Sequence, residues 1–326
     1  MLRMPDTFVV ENPRSIEDAL KLLESYGDSA RIVAGGTDLL PNIKNGLHTP
    51  SVLVNLKSVE GLRTIEESEE RITIGALVSI TALSRSSLVR ERLPSLSSAA
   101  SQVAGPQVRN MGTVGGNVCL DTRCVYINQS HFWRSALGYC LKKDGTACHV
   151  VVNGKRCVAA ASNDTAPVLM TLGAELRIVS PRGERRSSLE DFYVNDGAKN
   201  NALAPDEILA SISIPSPSSY RVMGYQKLRI RGAIDFPMLN VAFALNYREG
   251  HIDDMDVVYS AIAARPRRVN GMPSGPYDAA FMSAAKALAF KRVRPLTNIN
   301  GDVTWRREMA PVLLERAIVD ALGPIS

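Results

Sequence analysis

Residues 31–40 read RIVAGGTDLL: an apolar run breaks at Gly35-Gly36 and resumes two residues later. A second pair stands at 113–117, TVGGN. Each is expected to follow an apolar strand. Glycine tolerates positive φ, so such a pair lets the chain turn sharply and aim successive backbone N–H groups at an anion, as a pyrophosphate requires. The hydroxyls of Thr37 and Thr113 and the amide of Asn117 add donors, whereas Asp38 suits a turn or cap better than a phosphate. Neither loop has the GxxxxGK[ST] or GxGxxG spacing, which counts against P-loop hydrolysis and a Rossmann dinucleotide unit. An ordinary tight turn is the plain alternative for either pair alone.

Outward from these loops the chain mixes helices and strands. Ser15 with Asp18 three residues later starts a helix whose apolar face holds Ala19, Leu20, Leu22 and Leu23, ending at Gly27. SVLVNL, RITIGALVSI and the stretch from Asp206 to Pro215 read as strands, and 95–103 as a short helix. TAPVLMTLGAELRIVSPRGERRSS gives a helix, a strand, a turn and a strand. Beyond the Ser- and Pro-rich boundary near 217, GYQKLRIR, MLNVAFALNY and DVVYSAIA are strand-like, and EMAPVLLERAIVDAL is helical. Without regular βαβ alternation the fold class is α+β.

The 326 residues, 45% hydrophobic and 22% charged, have room for two or three domains. The net charge of +5 is spread along the chain, which argues against a nucleic-acid groove. No apolar run approaches the roughly 18 residues of a membrane helix, and the opening MLRMPDTFVVENPRS is too charged for a signal peptide. A cytoplasmic protein with reduced thiols is expected.

Against that expectation the cysteines are conspicuous. Four of five lie in CVYINQSHFWRSALGYCLKKDGTACHVVVNGKRC, residues 124–157, spaced C-x15-C-x7-C-x8-C after Cys119. No CxxC pair occurs, and the spacing fits neither a zinc ribbon nor the common ferredoxins. Four thiolates suit either zinc or a four-iron cluster, and unligated core cysteines remain a third possibility on the residues alone.

The succession RIVAGGTDLL, GPQVRNMGTVGGN, SNDTAPVLMTLGAEL, EILASISIP and GYQKLRIRGAIDFPMLNVA resembles the FAD-binding medium subunits of the molybdenum hydroxylase family, which includes xanthine dehydrogenase and carbon monoxide dehydrogenase. The resemblance implies a two-subdomain FAD-binding fold of PCMH type, residues 1–57 and 58–217, followed by a C-terminal α+β domain, 218–326. It implies FAD contacts from Ile32, Val33, Ala34, Gly35, Gly36, Thr37, Asp38 and Leu39, and from Thr113, Val114, Gly115, Gly116 and Asn117. It adds Asp164, Leu209 near the isoalloxazine, and Lys227 as a cation for flavin or phosphate charge. On the residues alone Asp164 reads as a helix N-cap and Lys227 as a solvated strand residue.

The resemblance implies only a short link between the GGN motif and the later aspartate; here Asn117 and Asp164 stand 47 positions apart, so against the family pattern about 119–160 looks inserted. A cysteine-bearing insertion there is similar to that of the 4-hydroxybenzoyl-CoA reductase branch of the family. This likeness implies a 4Fe-4S cluster on Cys124, Cys140, Cys148 and Cys157, with Cys119 left to the flavin scaffold. Lys142, Lys143, Lys155 and Arg156 would offset its charge. It further implies an electron-transfer subunit partnered by a large molybdenum-cofactor subunit and a small 2Fe-2S subunit in a dimer of heterotrimers (a heterohexamer), with ferredoxin as donor. Catalytic acid–base groups and the substrate site are then expected on another chain. The alternative is the FAD subunit of an NAD-linked xanthine dehydrogenase-type hydroxylase with a zinc-stapled insertion.

Overall fold

The computed structural model describes residues 8–325; residues 1–7, part of the charged N-terminal stretch read above, and Ser326 lie outside the described residues. The longer strands are β1 (Val9–Glu11), β2 (Ala30–Val33), β3 (Val52–Asn55), β4 (Ile65–Glu67), β5 (Arg71–Gly75), β6 (Glu175–Ser180), β7 (Gly183–Ser188), β8 (Ile208–Pro215), β9 (Arg221–Leu228), β10 (Leu239–Arg248) and β11 (His251–Ser260). They form a parallel sheet β1-β3-β2, an antiparallel sheet β4-β5-β8-β6-β7, and an antiparallel sheet led by β9-β10-β11.

The first sheet is completed by the helix Ile16–Tyr26, whose Ser15 Oγ accepts from Asp18 N at 3.0 Å, the cap that the sequence predicts. Its buried face, Ala19, Leu20 and Leu23, covers Val52 and Val54 of β3. In the second sheet, Ile72 and Ile74 of β5 alternate toward helices Ile80–Arg85, Pro94–Ser101 and Thr165–Thr171. Strand β5 stops at Gly75 because the next turn packs on backbone: a Cβ at Gly75 would stand 2.4 Å from Leu62 O. The run RITIGALVSI is thus one strand and then a Ser79-capped helix, not a single strand.

The third sheet has a core on each face. Along β10, Val241, Phe243 and Leu245 pack on helices Ala279–Arg292 and Val303–Leu322, while Ala242 and Ala244 join the core of the second sheet. Strand β9 follows the same period, so Met223 and Tyr225 also face that core. Lys227 lies on the same face, which carries it into the junction between domains. Among the described residues no helix is long and apolar enough to cross a membrane.

Candidate functional site

A cavity of about 440 Å³ opens where the three units meet. Ile32 to Leu39 form one wall, and Thr113, Gly115, Gly116 and Asn117 another, with Asp164 and Leu209 between them. Val114 faces the core instead and is fully buried. The first loop follows β2 as read, and Gly36 alone of the four glycines has positive φ, at 70°. The second loop differs: it follows the helix Pro106–Met111 and opens the helix Val114–Val118, with Thr113 Oγ1 accepting from Gly116 N at 3.1 Å. Five residues are too few to show helical period, so the sequence read them as a turn after a strand.

Packing explains these glycines as much as a ligand does. A Cβ at Gly35 would meet Met111 O at 2.2 Å, and one at Gly115 would meet Ala76 Cβ at 2.7 Å. Close approach of the two loops leaves the backbone N–H groups of Gly35 to Leu39 with no protein acceptor among the described residues. Consecutive unpaired amides ahead of a helix form an anion cradle, the feature a pyrophosphate group requires. The second loop contributes less, because Val114 N and Gly115 N already donate to Val78 O and Ala76 O. Asp38 does not oppose an anion: its carboxylate is engaged by Arg123 and Asn42 and accepts from Asp121 N at 3.4 Å. Burial nevertheless raises its pKa above the usual carboxylate value, with Arg123 pulling the other way.

Asp164 occupies the N-cap position of the helix Thr165–Thr171, but its side chain makes no capping bond. It accepts instead from Tyr225 OH at 2.7 Å, and Lys227 Nζ stands 2.9 Å from Oδ1 and 3.1 Å from Oδ2. Lys227 also donates to Gln102 O at 3.0 Å. Its side chain is wholly buried, so it is not a solvated strand residue, and it does not itself line the cavity. The lysine reaches the site only through Asp164. Burial raises the Asp164 carboxyl pKa and lowers that of Lys227, each opposed by the charge of the other.

Residues without any motif complete the wall. His48, Arg123, Ile234 and Phe236 line the cavity, and the Arg123 guanidinium lies 4.2 Å from the centre of the Phe236 ring. Nothing in their spacing marks them, since they come from a loop, the cysteine-bearing segment and the C-terminal domain.

The cysteine-bearing segment is bracketed by an Arg123↔Ala160 bridge, with N–H···O bonds of 2.8 and 2.7 Å. Cys124, Cys140, Cys148 and Cys157 line one small cavity inside it, of about 20 Å³, together with Lys142 and His149. Cys119 does not: it caps the helix Val114–Val118, lines the larger cavity, and burial pushes its thiol up to about 12. Burial also raises Cys124, and Cys157 to about 11, so both hold their protons unless a cation displaces them. Among the described residues no three His, Cys, Asp or Glu side chains stand together closely enough to hold one metal ion. Of the four cations expected near these thiols, Lys142 lies on the cavity wall; Lys143 pairs with Asp144 at 3.3 Å, and Lys155 and Arg156 are exposed.

Residues 6–217 match the FAD binding domain in molybdopterin dehydrogenase, and residues 224–321 the CO dehydrogenase flavoprotein C-terminal domain. The carbon monoxide dehydrogenase medium chain of Afipia carboxidovorans is 28% identical, covering 97% of this chain and 96% of its own. The aldehyde oxidoreductase FAD-binding subunit PaoB of Escherichia coli is 31% identical, over 78% of this chain and 84% of its own. Reconstituted CO dehydrogenase from Oligotropha carboxidovorans superposes with a TM-score of 0.79 at 28% identity, over 97% of this chain and 98% of the other.

Proposed function

Because this chain belongs to the FAD-binding subunits of the molybdenum hydroxylase family, we propose that it is the electron-transfer subunit of an enzyme of the 4-hydroxybenzoyl-CoA reductase type, carrying FAD in the larger cavity and a 4Fe-4S cluster in the insertion. Bound there, FAD exchanges electrons singly or in pairs and the cluster passes them one at a time. The chain's own part is to hold both. The free amides of Gly35 to Leu39 cradle the pyrophosphate, Leu209 and Ile234 give apolar contact, and Asp164 offers an acceptor fixed by Lys227 and Tyr225.

The convergence of four cysteines from one insertion on one cavity carries this reading. Four cysteines on one cavity match in number and kind the ligands of a four-iron cluster, and equally those of a zinc ion. The partners follow from this reading: a large molybdenum-cofactor subunit that acts on the substrate, a small 2Fe-2S subunit, and ferredoxin as donor, in a dimer of heterotrimers. Phe132 and Val152, 82% and 88% exposed on the insertion, leave apolar surface for such a chain.

The second reading is an FAD subunit of an NAD-linked hydroxylase with zinc in the insertion. It has relatives such as the nicotine 6-hydroxylase medium subunit of Paenarthrobacter nicotinovorans on its side, 29% identical over 95% of each chain. Iron, acid-labile sulfide and zinc analysis of the anaerobically purified chain, with electron paramagnetic resonance after reduction, separates the two. Iron and sulfide near four per chain are expected; zinc without iron would refute the cluster.

A further inference from the structure

Residues 121–124 serve two cavities at once. Asp121 and Arg123 line the larger cavity, and Cys124 lines that of the thiols. Lys142, on the thiol wall, reaches back across this segment: its Nζ donates to Asp121 Oδ1 at 2.6 Å and to Thr122 O at 3.1 Å, and also bonds Thr122 Oγ1. Its side chain is 8% exposed. A lysine ammonium is strongly hydrated and is buried only where partners hold it. Here one carboxylate and the Thr122 oxygens do so, and that carboxylate belongs to the wall of the other site.

The geometry points to Lys142 as the residue that sets the electron affinity of the sulfur-ligated centre, with Asp121 as its positioning residue. This inference rests on reading the thiol cavity as an iron–sulfur site. Each electron added there adds one negative charge, and a fixed cation stabilises the more negative state. An exposed cation is screened by water and salt, but one at the buried wall is screened far less. Lys143 and the exposed Lys155 and Arg156 cannot replace it for that reason.

The test is a redox titration of the full-length chain, purified anaerobically with its flavin, in which the cluster is followed by electron paramagnetic resonance and the flavin by absorbance. Lys142→Met and Lys142→Gln are expected to lower the reduced-to-oxidised ratio of the cluster at least tenfold at fixed ambient potential, a downward shift of about 59 mV for one electron. Lys142→Arg, which keeps the charge, should stay within about threefold of the wild type. Neutral variants with full iron content and an unchanged titration would overturn the inference. Neutral variants that fail to assemble the cluster while Lys142→Arg succeeds would overturn it as well, in favour of a purely structural role. Wild-type chain lacking iron and sulfide would refute the cluster reading itself, a separate result visible before any variant is made.

Discussion

Gly35 shows what a single missing methyl group can hold together. Its limiting neighbour is the Met111 carbonyl oxygen, 2.2 Å from where a Cβ would stand, so Gly35→Ala must push the first loop away from the turn before the second. Such overpacking costs about 1–3 kcal/mol, and flavin titration should show at least about tenfold weaker binding, because both loops form the cavity. Gly116→Ala should be milder, since its added Cβ meets only Thr113 Oγ1, at 3.0 Å. Asp121 makes a prediction in pH. Burial alone would raise its pKa, but His48, 3.8 Å away, and the charge and hydrogen bond of Lys142 outweigh that and bring it from 3.8 to about 2. A folded-state pKa below the unfolded one contributes stability above pH 4, about 2 kcal/mol here, which is lost as pH falls toward 2. Unfolding of wild type measured across that window should lose this increment, while Asp121→Asn should lack it throughout.

Legibility changes with the length of the element. The long β-branched stretches that became β8, β10 and β11 could be read from composition and alternation, and the first helix from Ser15, Asp18 and its apolar face. The helices Ile80–Arg85 and Ser87–Arg92 could not, because six residues span too little of the 3.6 period to stand out from the strand before them. The solvated reading of Lys227 failed for a different reason: alternation says which residues share a face of β9, but not that another part of the chain covers that face. The cysteine-bearing segment is the opposite case, since its cysteines stood out in the sequence and line one cavity, while its backbone gave no regular pattern. Cys140 lines the thiol cavity and not the larger one. On the cluster reading proposed above, Cys140→Ser should therefore abolish the iron signal and leave FAD at one per chain, as measured by metal analysis and extracted-flavin absorbance.

At the scale of the whole molecule the larger cavity belongs to no single domain. The first sheet and the loop after it supply Ile32 to Leu39, the part built on the second sheet Thr113 and Leu209, and the C-terminal domain Ile234 and Phe236. Asp164, Tyr225 and Lys227 tie the last two together with a buried ion pair. Lys227→Met would leave the Asp164 carboxylate buried without its counter-charge, at a cost of about 3–5 kcal/mol. Its denaturation curve should shift accordingly, and the flavin should be released early in the transition because the cavity spans the junction. Phe236, 47% exposed, has little core to lose. Phe236→Ala should leave thermal stability nearly unchanged yet speed flavin dissociation in a stopped-flow chase, since it removes the ring under Arg123.

The cysteine-bearing segment departs and comes back through neighbours, Arg123 and Ala160, joined by a pair of backbone bonds. A segment pinned at its two ends in this way can shift or repack internally while the strands and loops that it leaves stay in register.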